Sequence, residues 1–354
     1  MRVFSMEVIV VNKNFERLGI IDNASVIWAS RYYKTGEFEL YMALTQDKLD
    51  LILNGYYIIR DDDEDNVGVI EKIHLENEPE TGDMITVTGR FASGKVLGSR
   101  IVSQQTQLYG NLQDNIRNLV YINAINANNP KRNISFLELG NIDTSITEKI
   151  EMQITGANLL EKIEETCEAN GLGFKMPLRN GKLYFEMYKG IDRSYNQTKN
   201  SWIVFCDEYD NLKKSEYDND VSGYTNYAYV AGEGEGLARK IVEVYNTSSE
   251  PTGIDRSEIW VDQRNISSNN EDITETELEN QMKDEGLDNL TSITVAFAGE
   301  VILKGFEYKK DFKLGDIVTI KKESWNGIYI NARVIEVIES EDQNGKVITL
   351  TFGI

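Results

Sequence analysis

The side chains able to do chemistry are few, and their spacing restricts them further. His74 is the sole histidine. A zinc-protease helix needs two histidines one turn apart, so that class is excluded. A serine nucleophile on a strand-to-helix elbow needs Gly-x-Ser-x-Gly, which the chain lacks. Cys167 and Cys206 are the only cysteines, with neither a C-x-x-C metal spacing nor a disulfide framework. Either could meet His74 in space as a thiolate–imidazole pair. Cys167 falls in a helical pattern and Cys206 in an apolar strand-like run, so both read as small buried hydrophobes. His74 reads as the partly exposed end of a strand.

Two other stretches invite a ligand. Asp61, Asp63 and Asp65 have the D-x-D-x-D spacing of a calcium loop. Such a loop needs a bidentate glutamate at position 12, and counting from Asp61 that position is Lys72. The run is read as a solvated hairpin tip. Gly232-Glu233-Gly234-Glu235-Gly236 follows a strand as a phosphate cradle would, but its two glutamates repel phosphate. It is read as a flexible tip. Paired carboxylates for glycoside hydrolysis are available among 58 acidic residues, yet no stretch presents a cleft for them. No catalytic residue, cofactor-binding residue, cofactor or metal ligand is assigned.

The elements around these residues are mostly strands. Apolar residues make up 41% of the 354, enough for several cores, and two to four domains fit that length. Within the first hundred residues, runs at Met6–Val11, Phe15–Ile21, Ser25–Tyr33, Phe38–Leu44, Tyr56–Arg60, Asn66–Leu75 and Met84–Arg90 predict seven strands, enough for a small barrel. The period then changes. Asn111 caps a helix bearing Leu112, Ile116, Leu119 and Val120. Thr155 begins a second with Leu159, Leu160, Ile163 and Cys167, stopped by Asn170-Gly171. A hairpin turns at Arg179-Asn180-Gly181. Strands return at Trp202–Cys206, Thr225–Ala231 and Lys240–Tyr245. Thr274 and Glu277 make a capping box for an acidic helix, with Gly286 after it. Ser292–Phe297 and Glu300–Phe306 are strands, and Asn326-Gly327 and Asn344-Gly345 turn three closing strands.

These readings give an α+β, mainly β chain: two small antiparallel β-barrel domains, a mixed α/β domain and a helical insert. The boundaries are 1–100 for the first barrel, 101–215 for the mixed domain, 216–250 with 291–354 for a split second barrel, and 251–290 for the insert. The net charge of −21 is the reverse of a nucleic-acid-binding surface. It suits a surface that must not adsorb polyanions. The opening MRVFSMEVIVVNKNF lacks the apolar core and cleavage site of a signal peptide, which speaks against a secreted adhesin. No window approaches 18 apolar residues, so no membrane insertion is expected.

Tyr229-Val230-Ala231-Gly232-Glu233-Gly234-Glu235-Gly236-Leu237-Ala238-Arg239 resembles the glycine-rich strand-and-arginine segment of phage tail hub proteins. Leu314-Gly315-Asp316-Ile317-Val318, Arg333-Val334-Ile335-Glu336-Val337 and Leu350-Thr351-Phe352-Gly353 are similar to that family's closing strands. Phe15–Ile21, Ile27-Trp28 and Gly36-Glu37-Phe38-Glu39-Leu40 resemble its opening barrel. The family includes siphophage tail-tip hubs, baseplate hubs of contractile tails and the N-terminal structural region of tail-associated lysins. The resemblance implies a homotrimer that adapts a sixfold tail tube to a threefold tip or spike, the first barrel facing the tube. It implies as partners the tail tube or distal tail protein, the tape measure protein and the tip or spike protein. It implies a place at a virion tail tip or baseplate, assembled in the host cytoplasm and released by lysis. DNA would pass through an acidic lumen without specific binding. The alternative is a peptidoglycan-degrading tail enzyme or its wall-binding module. The chain stops at Ile354 just past the closing strand, so wall-degrading activity is expected elsewhere.

Overall fold

The computed structural model describes residues 6–79, 82–264, 274–301 and 305–353. The chain is mainly β with α+β character. The N-terminal strands are β1 (Val8–Val11), β2 (Arg17–Ile21), β3 (Ser25–Arg31), β4 (Glu37–Ala43), β5 (Tyr57–Arg60), β6 (Asp63–Val69), β7 (Lys72–Glu78) and β8 (Gly82–Arg90), with α1 (Gln46–Leu51) capped by Thr45. They divide between two sheets. β2-β1-β5-β6 form one antiparallel sheet, while β3-β4-β8-β7 belong to another that continues into the C-terminal strands. Every residue of β1 is buried. Val8 and Val10 face a core with Trp28, Leu40 and Ile85, and Ile9 and Val11 face a second core of helical residues. A continuous apolar run, rather than alternation, is what a strand covered on both faces requires.

The mixed region comprises α2 (Ala92–Gly98), β9 (Thr106–Asn111), α3 (Leu112–Val120), β10 (Leu137–Leu139), β11 (Lys149–Ile154), α4 (Leu159–Asn170), β12 (Gly173–Lys175), β13 (Leu178–Arg179) and β14 (Lys182–Tyr188). Asn111 caps α3 as predicted, accepting from the Asp114 amide at 3.0 Å. α4 starts later than predicted: Asn158, not Thr155, accepts the first amides. Gly171 ends it in the left-handed conformation, at φ 63°. Leu112, Ile116, Leu119, Leu159, Ile163 and Cys167 fill the core beside β1.

The C-terminal strands are β15 (Val204–Cys206), β16 (Leu212–Asp220), β20 (Thr294–Val301), β21 (Ile317–Lys322), β22 (Ile328–Asp342) and β23 (Gly345–Gly353). Their core gathers Phe205, Phe297, Phe312, Val318, Val334, Leu350 and Phe352. β20 is one strand where two were predicted, and part of Glu300–Phe306 lies outside the described residues. The full order is β16-β20-β23-β22-β3-β4-β8-β7, with β21 and β15 added beside β22.

Tyr217–Ala296 is a compact unit of its own. It contains β17 (Tyr227–Ala231), β18 (Ile241–Tyr245), β19 (Glu258–Asp262) and α5 (Glu275–Asp288). β17 and β18, expected with the second barrel, pair with each other, and β17 pairs on its other edge with β19 to complete a three-stranded sheet. The Thr274–Glu277 capping box forms. Gly286 lies inside α5 rather than after it, against Val230 and Val244.

Candidate functional site

The chain's two ends meet at β22. Ile328–Arg333 of this strand pairs with β21, and Glu336–Glu341 pairs with β3. The change of partner falls at a bulge at Ile335. There the Tyr32 amide donates to the Ile335 carbonyl at 2.8 Å. A bulge bends and twists its strand, which lets one strand serve two parts of a sheet. On its other edge β22 pairs with β23 from Arg333 to Asp342, across the bulge. The seam thus fuses N-terminal and C-terminal strands through backbone hydrogen bonds.

Charged side chains lock the seam. Arg60, at the end of β5, is fully buried and donates to both Glu339 oxygens at 3.2 Å. It also holds Asp62 through two bonds, at 2.6 and 2.8 Å. Lys346 reaches Glu339 at 2.8 Å, and Lys309 donates to the Asp62 carbonyl at 2.7 Å. Burial alone would raise the Glu339 carboxyl; Arg60, Lys309 and Lys346 outweigh it and hold the carboxyl below its ordinary value. Burial opposes the charge on Asp62 as well, and Arg60 again reverses the direction. Trp28 of β3 donates its indole N–H to Asp63 at 2.8 Å, with the Arg60 guanidinium over its ring. At the strand's outer end Arg31 joins Glu336 at 2.8 Å and Glu37 at 2.6 Å.

Tyr32 forms a second junction. Its buried hydroxyl accepts from the Gly190 amide at 2.8 Å and donates toward the Gly171 and Tyr188 carbonyls. Burial pushes this hydroxyl up to about 12, and the Gly190 bond opposes that rise. The ring fits only because its neighbours lack side chains: a Cβ at Gly173 or Gly315 would lie 2.4 or 2.2 Å from Tyr32 Cε2. Gly315 also has φ 94°, a conformation open to glycine.

The residues singled out by sequence are scattered. The Asp61–Asn66 run is not uniformly solvated: Asp63 is buried and serves Trp28, while Asp61 and Glu64 are exposed. Among the described residues no group of three or more His, Cys, Asp or Glu is arranged to hold a metal ion. His74 sits within β7, not at its end, opposite Thr86 and 3.6 Å from Glu76. Cys167 is buried in α4, and burial pushes its thiol up, away from the nucleophilic thiolate. Cys206 is buried in β15 and donates its amide to Asn211. The Gly232–Gly236 turn is tied back by Arg239, which donates to the Ala231 and Gly232 carbonyls at 2.9 and 3.0 Å. No helix among the described residues is long and apolar enough to cross a membrane. Sequence reasoning missed Arg60, Glu339 and Tyr32. For Arg60 and Glu339 the only signal was a charged residue placed inside an otherwise apolar strand pattern.

Comparison with known proteins points one way. Residues 7–354 match the family described as Siphovirus ReqiPepy6 Gp37-like protein. No curated protein matches the chain. Among solved structures, a tail protein from Neisseria meningitidis MC58 superposes with a TM-score of 0.56 at 14% identity, over 99% of this chain and 97% of that one. The 43 kDa tail protein of prophage MuSo2 from Shewanella oneidensis gives 0.56 at 12% identity, over 98% and 97%. Prophage tail protein gp18 from Listeria monocytogenes EGD-e gives 0.52 at 15%, over 98% and 94%. The chain belongs to the Siphovirus ReqiPepy6 Gp37-like family and has the fold of phage tail proteins.

Proposed function

We propose that the protein is a structural hub at a phage tail tip or baseplate, without catalysis of its own. In this reading it is a homotrimer in the virion tail, three copies each offering two β regions to a sixfold tube and together offering threefold symmetry to a tip or spike. Tube or distal tail protein, tape measure protein and tip protein are its neighbours. The observation that carries the reading is the β3–β22 seam within a phage tail fold. Backbone pairing and the buried Arg60–Glu339 contact fix the N-terminal and C-terminal strands as one rigid body. An adapter between two symmetries needs that rigidity, because a hinge between its two β regions would blur the ring. The buried thiols and the His74 environment give no support to a wall hydrolase.

Light scattering on the purified chain tests this. A particle of three 40.3 kDa chains, inert toward peptidoglycan, is expected. A monomer that digests cell wall would overturn it.

A further inference from the structure

The mixed region holds a basic pocket that the hub role does not use. It has a volume of about 640 Å³ and is lined by Arg100, Ser103, Gln104, Asn123, Lys131 and Arg132, among others. Three positive side chains converge there in a chain of net charge −21. Among the described residues, none of the three has an acidic partner. Arg100 donates to the Arg132 and Ser99 carbonyls, and Arg132 to the Ile101 carbonyl and the Ser103 hydroxyl. Neutral acceptors orient a guanidinium without cancelling its charge. Burial, and after it the nearby Arg132 charge, pull the Arg100 guanidinium below its ordinary value.

The backbone is unusual at the same place. α3 runs on into a π-helical segment, Tyr121–Ile125. Such segments are rare and concentrate at functional sites. This one carries Asn123, which is 3% exposed yet lines the pocket. Its amide nitrogen donates to the Leu119 carbonyl at 3.0 Å, and its oxygen has only long contacts, 3.4 Å to Arg132 and 3.5 Å to the Ser103 amide. The Arg132 charge is near enough to act on the Arg100 guanidinium, and an anion between two such like charges relieves their repulsion.

We propose that this pocket binds a phosphate group, with Arg100, Lys131 and Arg132 as its cationic walls. Phosphate is favoured over carboxylate because arginine forks match its several oxygens and three cations suit more than one negative charge. The pocket exceeds a bare phosphate and falls in the range of small-molecule sites, so a phosphate carrying an organic substituent fits it. The group could arrive on a small monoester or within a polymer of phosphodiesters.

Calorimetric titration of the full chain at low ionic strength tests the assignment, with sn-glycerol 3-phosphate, dimethyl phosphate and acetate as probes. Glycerol phosphate is expected to bind, more weakly as salt rises, and acetate to bind at least about tenfold more weakly. Binding of dimethyl phosphate as well assigns the site to a phosphodiester; its failure to bind assigns a monoester. Lys131→Glu, on an exposed side chain, is expected to lower affinity about tenfold or more with an unchanged thermal transition. Arg132→Lys keeps the charge, loses the fork and is expected to weaken binding as well. No heat with either phosphate, acetate binding as tightly, or full affinity in Lys131→Glu would each overturn the proposal.

Discussion

Arg60 and Glu339, 279 positions apart in the chain, share two hydrogen bonds of 3.2 Å inside the protein. Breaking such a pair leaves a buried charge with less to balance it. Glu339→Gln is expected to destabilise the fold by about 2–4 kcal/mol, below the full cost of a lost buried pair because Asp62 still holds Arg60. Denaturant unfolding measures it, and a loss under about 0.5 kcal/mol would show that the pair does not lock the seam.

Acid dependence follows from the same residue. The Glu339 carboxyl is held below its ordinary value in the folded chain. Its contribution is therefore present above the unfolded carboxyl value of about 4.3, and is lost as pH falls through the lower folded value. Wild type is expected to lose more stability than Glu339→Gln between about pH 5 and pH 3. Parallel stability–pH curves for the two proteins would contradict this.

Tyr32→Phe removes the acceptor of the Gly190 amide and is expected to cost about 1–2 kcal/mol. Gly315→Ala should cost more, about 3 kcal/mol or greater, because it adds a Cβ 2.2 Å from Tyr32 at a backbone of φ 94°. Thermal melts of the two variants check the order; a milder effect from Gly315→Ala would be evidence against the junction as described.

Gly286→Leu addresses the Tyr217–Ala296 unit alone. A Cβ there would lie 2.4 Å from Val244 and 2.6 Å from Val230, so overpacking of about 1–3 kcal/mol outweighs the gain of about 1 kcal/mol from replacing a helical glycine. Hydrogen exchange is expected to show lost protection in β17, β18 and β19, with β3 and β22 unchanged. Equal loss in β3 would mean that the two compact units unfold as one.

Much of the local structure was legible in the sequence because its causes are local. Asn111, the Thr274–Glu277 box and Gly171 mark helix ends through bonds within a few residues, and Asn326-Gly327 marks a turn by its positive φ. The resemblance to phage tail proteins was legible through the order of such signals along the chain. Strand partners were not. Whether β17 joins β20 or β19 depends on distant pairing, and nothing in Tyr227–Ala231 itself chooses. The seam was hidden for the same reason: the alternation of β22 shows a strand, but not that Ile335 divides it between two partners. Asp63 looked like part of a solvated turn, because charge in a sequence does not reveal which carboxylate has turned inward, and Arg60 read only as the end of the Tyr56–Arg60 strand.

The oligomeric state of the purified chain tests the central claim most directly. Light scattering across a range of concentrations is expected to give a mass of about 121 kDa, three chains of 40.3 kDa. A stable monomer at every concentration, or a closed assembly whose copies are not related by a threefold axis, would contradict the account.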